Sequence, residues 1–438
     1  MKTNVKKVVT PVFTHEGAKA SSNIGALNQL KRLTSSCLLW ENEFYVDGKG
    51  ISDQVKIAVG KCSAEDVSNL AIDLRTNGNL RHMPLFLARE LARNTNGNVV
   101  GKTISGVIQR ADEMAEFLSI YWKDKKQPLS KQVKIGLANA FDKFTEYNLA
   151  KYNRDGAIKM RDVLFLCHAK PKNELKAKLY KKIVDNKLDA PDTWEVALSA
   201  GADKKETFIR LINDKKLGGL ALLRNLRNMV DSGVDRSIIS KALSETNFDR
   251  VLPFRFIAAA RACPSMEPEL DKVMQTVLTA NKDKLNGKTI LLVDVSGSMD
   301  VKLSAKSDLS RLDTACALGI LLAGISDNLE VYTFSNSIVQ VPARKGMALS
   351  DAIIRSQSHG GTDLANAIKK INTMTYDRLI VITYEQTQTV PSKPNGKSYL
   401  INVASNQNGI SYNSSWKRID GFSENVVKWI YETEKDVE

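Results

Sequence analysis

The sequence predicts a protein of two parts, an all-α region followed by an α/β region with an open, mostly parallel sheet. Three observations support this fold class. In residues 24–283 apolar side chains recur at helical spacing, with short breaks at Gly, Pro and Asn. From about residue 285 short apolar runs typical of buried strands alternate with helical patterns. The chain of 438 residues is also long enough for two or three domains with sizeable cores.

The all-α region follows residues 1–20, which we expect to form a loosely held arm. The segment that begins at Ser130 illustrates the helical pattern. Ser130 is a candidate N-cap, and one apolar face follows at helical spacing, made by Val133, Leu137, Phe141 and Phe144. Lys131, Lys134 and Lys143 lie off that face. Many helices of this kind, without a heptad pattern, predict stacked helix pairs.

The α/β region is predicted from the order of its elements. Strands are expected near residues 288–294, 329–334, 337–341, 378–383 and 398–403, and helices near 310–325, from Thr362 onward and near 422–433. Such an alternation gives a sheet covered by helices on both faces. Ligand sites of these sheets lie at the carboxyl ends of the strands.

The strongest motif is KTILLVDVSGSM at residues 288–299. Its apolar run ends at Asp294 and is followed by a short loop that contains Ser296 and Ser298. Because the run is typical of a strand buried on both faces, these three residues fall where a ligand site belongs. One carboxylate and two hydroxyls suit Mg²⁺, which prefers near-octahedral oxygen ligation. The alternative interpretation is structural, with Asp294 as a helix N-cap or turn former and the serines as turn residues.

A second segment, GGTD at residues 360–363, follows about 65 residues later. Together with DVSGSM it resembles the metal-ion-dependent adhesion site (MIDAS) of von Willebrand factor A (vWA) domains, which have a Rossmann-like fold. The family usually has a further aspartate after a later strand, where this chain has Tyr384, a poor Mg²⁺ ligand at neutral pH. We therefore expect Mg²⁺ to bind weakly or not at all. The resemblance implies the metal ligands Asp294, Ser296, Ser298 and Thr362.

The all-α region carries a family likeness of its own. Four segments resemble the signature of TROVE domains: KYNRDG from Lys151, VLFLCHAKP from Val163, LLRNL from Leu222 and LPFR from Leu252. A TROVE domain followed by a vWA domain is the architecture of the Ro autoantigen family. The resemblance therefore spans nearly the whole chain. It implies an RNA-binding TROVE domain at residues 21–284, built as a ring of HEAT-like helical repeats, and a vWA-like domain at residues 285–438.

The Ro resemblance also implies which basic residues contact RNA. Lys151 and Arg154 match basic positions of the family with a shift of one residue, and His168 lies close to Lys170 and Lys172. Lysine binds phosphate as a point charge, arginine can bind it through two parallel hydrogen bonds, and a histidine ring can stack on an unpaired base. The alternative is a solvated face for each lysine and a structural role near a helix end for His168.

The distribution of charge points in the same direction. The chain has 63 Lys and Arg against 49 Asp and Glu, a formal net charge of +14. Residues 1–284 contain 47 basic and 33 acidic side chains, whereas residues 285–438 contain 16 of each. A basic domain beside a neutral one indicates a polyanionic partner, and nucleic acid is the leading candidate. A mildly basic solvated surface is the alternative interpretation.

Several other classes of protein are disfavoured. No apolar run approaches the 18 residues of a membrane-spanning helix, and the N-terminus lacks the apolar core of a signal peptide. Five scattered cysteines without C-x-x-C are typical of reduced thiols in the cytoplasm. The segment from Gly97 to Thr103 is one residue short of a P-loop, so we interpret it, like NGKT from Asn286, as a turn. Because Ser296 stands where aspartyl phosphatases usually have a second acid, we expect no enzyme activity.

The expected function is therefore binding. By resemblance, the TROVE domain would bind a small structured noncoding RNA such as a Y RNA, and would accept the ends of misfolded RNA. The vWA domain would recruit an exoribonuclease or another protein. We expect a cytoplasmic monomer that does not bind membranes and acts as a ribonucleoprotein scaffold in RNA quality control. The competing hypothesis is a metal-dependent protein-interaction scaffold organised by the vWA domain.

Overall fold

A computed structural model gives the fold of the chain. It describes residues 12–13, 19–20, 26–34, 48–153, 156–249, 251, 253–280, 284–302, 309–384, 386–387, 389–403, 415–420, 426–427, 430–431 and 434. The chain divides into two compact units. We call Asp53–Val251 the helical unit, and Met1–Ser52 together with Leu252–Glu438 the sheet unit. The predicted fold class, an α region followed by an α/β region, is confirmed.

The helices and strands of the described residues are, in chain order, β1 Val12–Phe13, β2 Lys19–Ala20, α1 Ala26–Thr34, α2 Gly48–Val59, α3 Ala64–Thr76, α4 His82–Asn94, α5 Asn98–Val107, α6 Asp112–Tyr121, α7 Lys131–Phe141, α8 Glu146–Tyr152, α9 Met160–Cys167, α10 Glu174–Val184, α11 Trp194–Ser199, α12 Lys204–Asn213, α13 Gly219–Asp231, α14 Arg236–Glu245, α15 Pro253–Ala262, α16 Glu267–Thr279, β3 Leu285–Asp294, α17 Arg311–Ile325, β4 Ser326–Phe334, β5 Ile338–Val341, α18 Gly346–Ile354, α19 Leu364–Ile371, β6 Arg378–Thr383, β7 Lys397–Asn402 and β8 Lys417–Asp420.

Helix α7 shows how the sequence specifies the helical unit. The Ser130 hydroxyl accepts a hydrogen bond from the Val133 amide at 3.4 Å, as expected of an N-cap. The apolar face predicted for this helix is buried, from Val133 to Phe144. Successive helices pack on one another, α3 on α4 and α5, α5 on α7, α7 on α9, and α11 through α14 in order. These contacts agree with stacked helix pairs, and closure of the helices into a ring stays a prediction.

Arginines of α3 and α4 pair with acids on α4, on α6 and after α6. Arg75 lies 2.8 Å from Glu113, and the buried Arg89 contacts both Glu90 and Asp124. A buried guanidinium needs a counter-charge, and these acids supply it. The pairs therefore hold the helices of this unit together and leave these arginines unavailable to a ligand.

The sheet unit is built on six strands in the order β5-β4-β3-β6-β7-β8. All neighbours run parallel except β5, an edge strand antiparallel to β4. Strand β3 lies inside the sheet, and Ile290 and Leu292 face a core shared with Leu364 and Ile368 of α19. Leu291 points to the opposite face, toward α17. Helices therefore cover both faces of β3, which accounts for its continuous apolar run.

The observed elements extend the predicted ones. Helix α18 and strand β8 were not predicted, and β3 starts at Leu285 instead of residue 288. Helices α15 and α16 precede the expected boundary at residue 284, yet they belong to the sheet unit. They pack on α17, and Asp271 of α16 accepts a hydrogen bond from the Met347 amide at 2.8 Å, at the start of α18. Of the helix expected near 422–433, residues 426–427 and 430–431 are helical.

Two glycine segments are not the turns that we predicted. Gly101 and Thr103 lie inside helix α5 and are buried there, so this segment has no phosphate-binding loop. Asn286 and Gly287 lie within β3, at an irregularity in its pairing with β4. Gly287 has a φ of 82°, and a Cβ there would lie 2.6 Å from Asp377, so the position requires glycine.

Two expectations from the sequence concern the N-terminal arm and membrane-spanning helices. Of residues 1–20 the structure describes the antiparallel pair β1 and β2. Among the described residues, no helix combines the length and the hydrophobicity that crossing a bilayer requires.

Candidate functional sites

Loops meet at the carboxyl edge of the sheet, where a ligand site was predicted. Asp294 ends β3, and Thr383 ends β6, the strand parallel to β3 on one side. The Gly297 amide donates a hydrogen bond to the Gly360 carbonyl at 3.1 Å. The loop after β3 therefore contacts the loop before α19, and the two segments of the motif come together as the sequence predicted.

The double glycine of this motif is explained by Asn336. A Cβ on Gly360 would lie 2.3 Å from the Asn336 Nδ2 atom, so any other residue there would displace the Asn336 side chain. The Gly361 amide donates to the Asn336 Oδ1 atom at 2.9 Å. This close approach fixes the loop and carries Thr362 to the sheet edge, where it is buried.

Asp294 is fully buried, and its carboxylate is held by protein donors. The Ser296 amide donates to Oδ1 at 2.9 Å, and the Thr383 hydroxyl donates to Oδ2 at 2.6 Å. Burial raises the pKa of Asp294 to about 6, although the hydrogen bonds from Ser296 and Thr383 favour the charged form. Both carboxylate oxygens therefore accept hydrogen bonds from the protein, which offset part of the effect of burial.

Tyr384 occupies the place of the aspartate that vWA domains usually have, and its side chain contacts Thr362 of the motif. Its hydroxyl lies 2.8 Å from the Thr362 hydroxyl, and both residues are buried. A phenol ordinarily titrates near pH 10, so it brings no negative charge to the site. The Thr362 oxygen consequently has a protein partner at the position where a metal ligand was expected.

The two serines of the motif behave differently. The Ser296 hydroxyl is buried, and within the described part of the chain it has no hydrogen-bond partner of acceptable geometry. Ser298 is partly exposed, and its carbonyl accepts a hydrogen bond from Arg311 at 3.2 Å. The Ser296 hydroxyl is thus a buried oxygen beside the Asp294 carboxylate, whereas Ser298 lies nearer to solvent.

As arranged, these residues do not fit Mg²⁺. The ion prefers near-octahedral oxygen ligands about 2.0–2.1 Å away, often with carboxylate charge. Here the motif offers a single carboxylate with both oxygens already hydrogen-bonded, and Thr362 is paired with Tyr384. No group of three or more His, Cys, Asp and Glu side chains suited to a metal is found in the described ranges.

The predicted RNA-binding residues lie in the helical unit, where His168 contacts a lysine that was not among them. His168 caps the end of α9 in the left-handed conformation, with a φ of 52° and a ψ of 41°. Its Nε2 atom lies 3.4 Å from the Lys134 Nζ atom on α7. His168 and Lys170 are exposed. We call Lys134, His168 and Lys170 the α7–α9 basic surface.

The other predicted residues are placed less favourably or lie outside the description. Lys172 is exposed but pairs with Asp142 at 2.8 Å. Lys151 is partly buried, with its Nζ atom 5.8 Å from the centre of the Tyr147 ring. Arg154 falls outside the described residues. No contact in the described residues joins Lys151 to His168, so their use of one surface stays a prediction.

Sequence reasoning missed several contributors to these sites. The sequence pattern shows Thr383 only as the last residue of a strand, and Lys134 only as a lysine off an apolar face. The signal for Thr383 was its position, since it ends a strand that pairs in parallel with β3. Lys143, two residues after the end of α7, donates a hydrogen bond to the Ile108 carbonyl at 3.0 Å and so has a structural role.

The six-stranded sheet, the DVSGSM loop at its carboxyl edge and the GGTD loop beside it define a vWA-type domain. Residues 288–397 match the family model of the Ro60 vWA domain. The fold of the whole chain resembles that of the Ro (RSR) protein of Deinococcus radiodurans, with a TM-score of 0.62 and 18% identity. That likeness covers 93% of this chain and 100% of the Deinococcus chain. The resemblance to Ro proteins predicted from the sequence is therefore confirmed.

Curated relatives extend the likeness over a short segment. Telomerase protein component 1 of Mus musculus is 32% identical over 90 residues, which is 19% of this chain and 3% of that protein. The Rattus norvegicus protein of the same name is 31% identical over 90 residues, with the same shares. The chain thus spans a small fraction of the length of these relatives.

Proposed function

We propose that this chain is an RNA-binding protein that binds small structured noncoding RNA through its helical unit, without catalysis. The observation that carries the proposal is the α7–α9 basic surface, where a lysine and an exposed histidine from separate helices meet at 3.4 Å. The lysine ammonium offers an RNA phosphate a point charge, and the imidazole beside it can donate to phosphate or stack on an unpaired base. The charge excess confined to residues 1–284 supplies the long-range attraction.

The finer proposal concerns the kind of RNA and the assembly. By its likeness to Ro proteins, the chain would bind a Y RNA-like molecule and the ends of misfolded RNA, as a scaffold for RNA quality control. The vWA-type domain would recruit an exoribonuclease or another protein, and the chain would act as a cytoplasmic monomer. RNA crosslinked to the protein in cells and then sequenced would identify the RNA class.

Binding of a labelled RNA hairpin to the full chain tests the proposal. The hairpin should be stable in monovalent salt alone, so that a chelator does not unfold it. We expect log affinity to fall linearly with log salt concentration, because phosphate contacts release counterions. Affinity should be the same with and without EDTA. Binding that ignores salt, or that disappears in EDTA, would refute the proposal.

The competing function, a metal-dependent scaffold, is less well supported by the geometry. It requires Asp294, Ser296, Ser298 and Thr362 to bind Mg²⁺ directly or with a partner's carboxylate. The hydrogen bond between Thr362 and Tyr384, and the two that Asp294 accepts, occupy these oxygens instead. We propose that Mg²⁺ binding is weak or absent in the chain as it stands.

A further inference from the structure

Phe165 is exposed in a helix that does not need it for packing. The buried side chains of α9 are Met160, Val163, Leu164 and Cys167, which already make a complete face at helical spacing. Phe165 lies outside that face with 60% of its surface exposed, and Leu166 beside it is partly exposed. Phe165 and Leu166 therefore present an aromatic ring and an apolar side chain on the outer side of α9.

Phe165 lies on the helix that ends at His168 of the α7–α9 basic surface. The His168 amide donates a hydrogen bond to the Phe165 carbonyl at 3.2 Å, so the two residues are one turn apart. Lys134 contacts the His168 ring from the neighbouring helix, and Lys170 follows two residues later. Residues one turn apart lie on the same side of a helix, so the exposed ring and the basic surface share one side of α9.

We propose that Phe165 is a stacking platform for an unpaired base of RNA whose phosphates lie on the α7–α9 basic surface. Proteins that bind single-stranded RNA combine aromatic rings for the bases with cationic groups for the backbone. The arrangement fits RNA better than an apolar protein segment, because the groups around the ring complement phosphate charge. The inference rests on the proposed function and deepens it. Because a paired base inside a duplex cannot reach the ring, Phe165 would bind only the single-stranded part of the RNA.

Two RNAs of equal stem and different ends separate stacking from general attraction. One is a blunt hairpin, and the other carries a short single-stranded 3′ tail with 2-aminopurine, whose fluorescence is quenched when it stacks. Full-chain protein is compared with Phe165→Ala, Phe165→Leu and Phe165→Trp. Ile57→Ala is the matched control, because Ile57 on α2 is 59% exposed and its truncation removes a similar apolar surface. Each variant should keep the melting temperature of the parent.

We expect Phe165→Ala and Phe165→Leu to weaken binding of the tailed RNA by roughly tenfold and to abolish quenching, since one stacked base contributes about that much. Phe165→Trp should keep both, and blunt-hairpin affinity should not change. The inference is overturned if Phe165→Leu binds and quenches like the parent, which would indicate an apolar contact without stacking. It is also overturned if both RNAs lose affinity equally. If Phe165 variants change nothing while Lys134→Ala weakens both RNAs, the proposed function stands and this inference alone fails.

Discussion

The two units treat charged and polar side chains in opposite ways. In the helical unit, arginines such as Arg75 and Arg89 are neutralised by acids, while His168 and Lys170 of the VLFLCHAKP segment are exposed. In the sheet unit the residues of the metal-site motif bond to other protein groups, as Thr362 does to Tyr384. A motif that matches a metal site can therefore lack the geometry of one, whereas the VLFLCHAKP segment keeps side chains that a ligand can reach.

The largest effect is expected at the buried ion pair of the sheet unit. Arg378 is bonded to Glu434 through two nitrogens, one of them at 2.6 Å, and to the Thr289 hydroxyl at 2.8 Å. Arg378→Met would leave a buried carboxylate without its main partner, so the free energy of unfolding should fall by about 3–5 kcal/mol. Chemical denaturation measures this change. The double variant Arg378→Met with Glu434→Leu should recover part of the stability; if it is less stable than the single variant, the pair is not the cause.

The same pair gives the sheet unit an acid-sensitive stability. The hydrogen bonds and charge of Arg378 outweigh burial and lower the pKa of Glu434 to about 2. Because the folded pKa lies below the unfolded value, the stabilisation is complete above about pH 4.5 and is lost as pH falls toward 2. We expect a loss of roughly 3 kcal/mol over this range. Denaturation at several pH values should show a smaller acid dependence in Arg378→Met than in the parent, and equal dependence would contradict this assignment.

The contact between Thr362 and Tyr384 can be tested by placing at position 384 the aspartate that vWA domains usually have. Tyr384→Asp would remove the hydrogen bond to Thr362 and add a carboxylate near Asp294. We expect Mg²⁺ affinity to rise by about 10–100-fold, the usual effect of a group that supports a metal's ligands. Calorimetry measures the affinity, and Tyr384→Phe is the control, because it removes the hydroxyl without adding charge. If the parent chain already binds Mg²⁺ tightly, and Tyr384→Asp does not raise the affinity, the hydrogen bond between Thr362 and Tyr384 does not hinder metal binding.

His168 should show a conflict between stability and function. Its left-handed conformation at the end of α9 is one that glycine adopts without strain. His168→Gly should therefore raise the free energy of unfolding by about 1 kcal/mol while weakening RNA binding. Thermal unfolding and hairpin binding of the same preparation provide the two values. A variant that is less stable, or that binds RNA as well as the parent, would show that the histidine is retained for packing.

Much of the fold and part of each site followed from the sequence. Periodicity was enough to place α7, with its cap and apolar face, and to predict β3 ending at Asp294. The pairing of Thr383 with Asp294 was not predictable, because it depends on the register of strands 89 residues apart. Strand β8, only four residues long, was too short for its pattern to stand out.

The contact between Lys134 and His168 shows the same limit in the helical unit. The two residues are 34 positions apart, and they meet because α7 packs on α9. Periodicity indicates which side of a helix is polar but not which neighbouring helix that side approaches. The exposure of Phe165 was likewise hidden, since an apolar VLFLC run does not show which of its members face solvent.

The most direct test of the account compares lysines of the two units in one salt titration. Lys134→Ala with Lys170→Ala removes two charges from the α7–α9 basic surface. Lys369→Ala with Lys370→Ala removes two exposed charges from α19 of the sheet unit. For hairpin binding by the full chain, the first pair should reduce the slope of log affinity against log salt by about 2, because each lysine neutralises one phosphate. The second pair should leave the slope unchanged, and equal effects of the two pairs, or an effect of the second alone, would contradict the account.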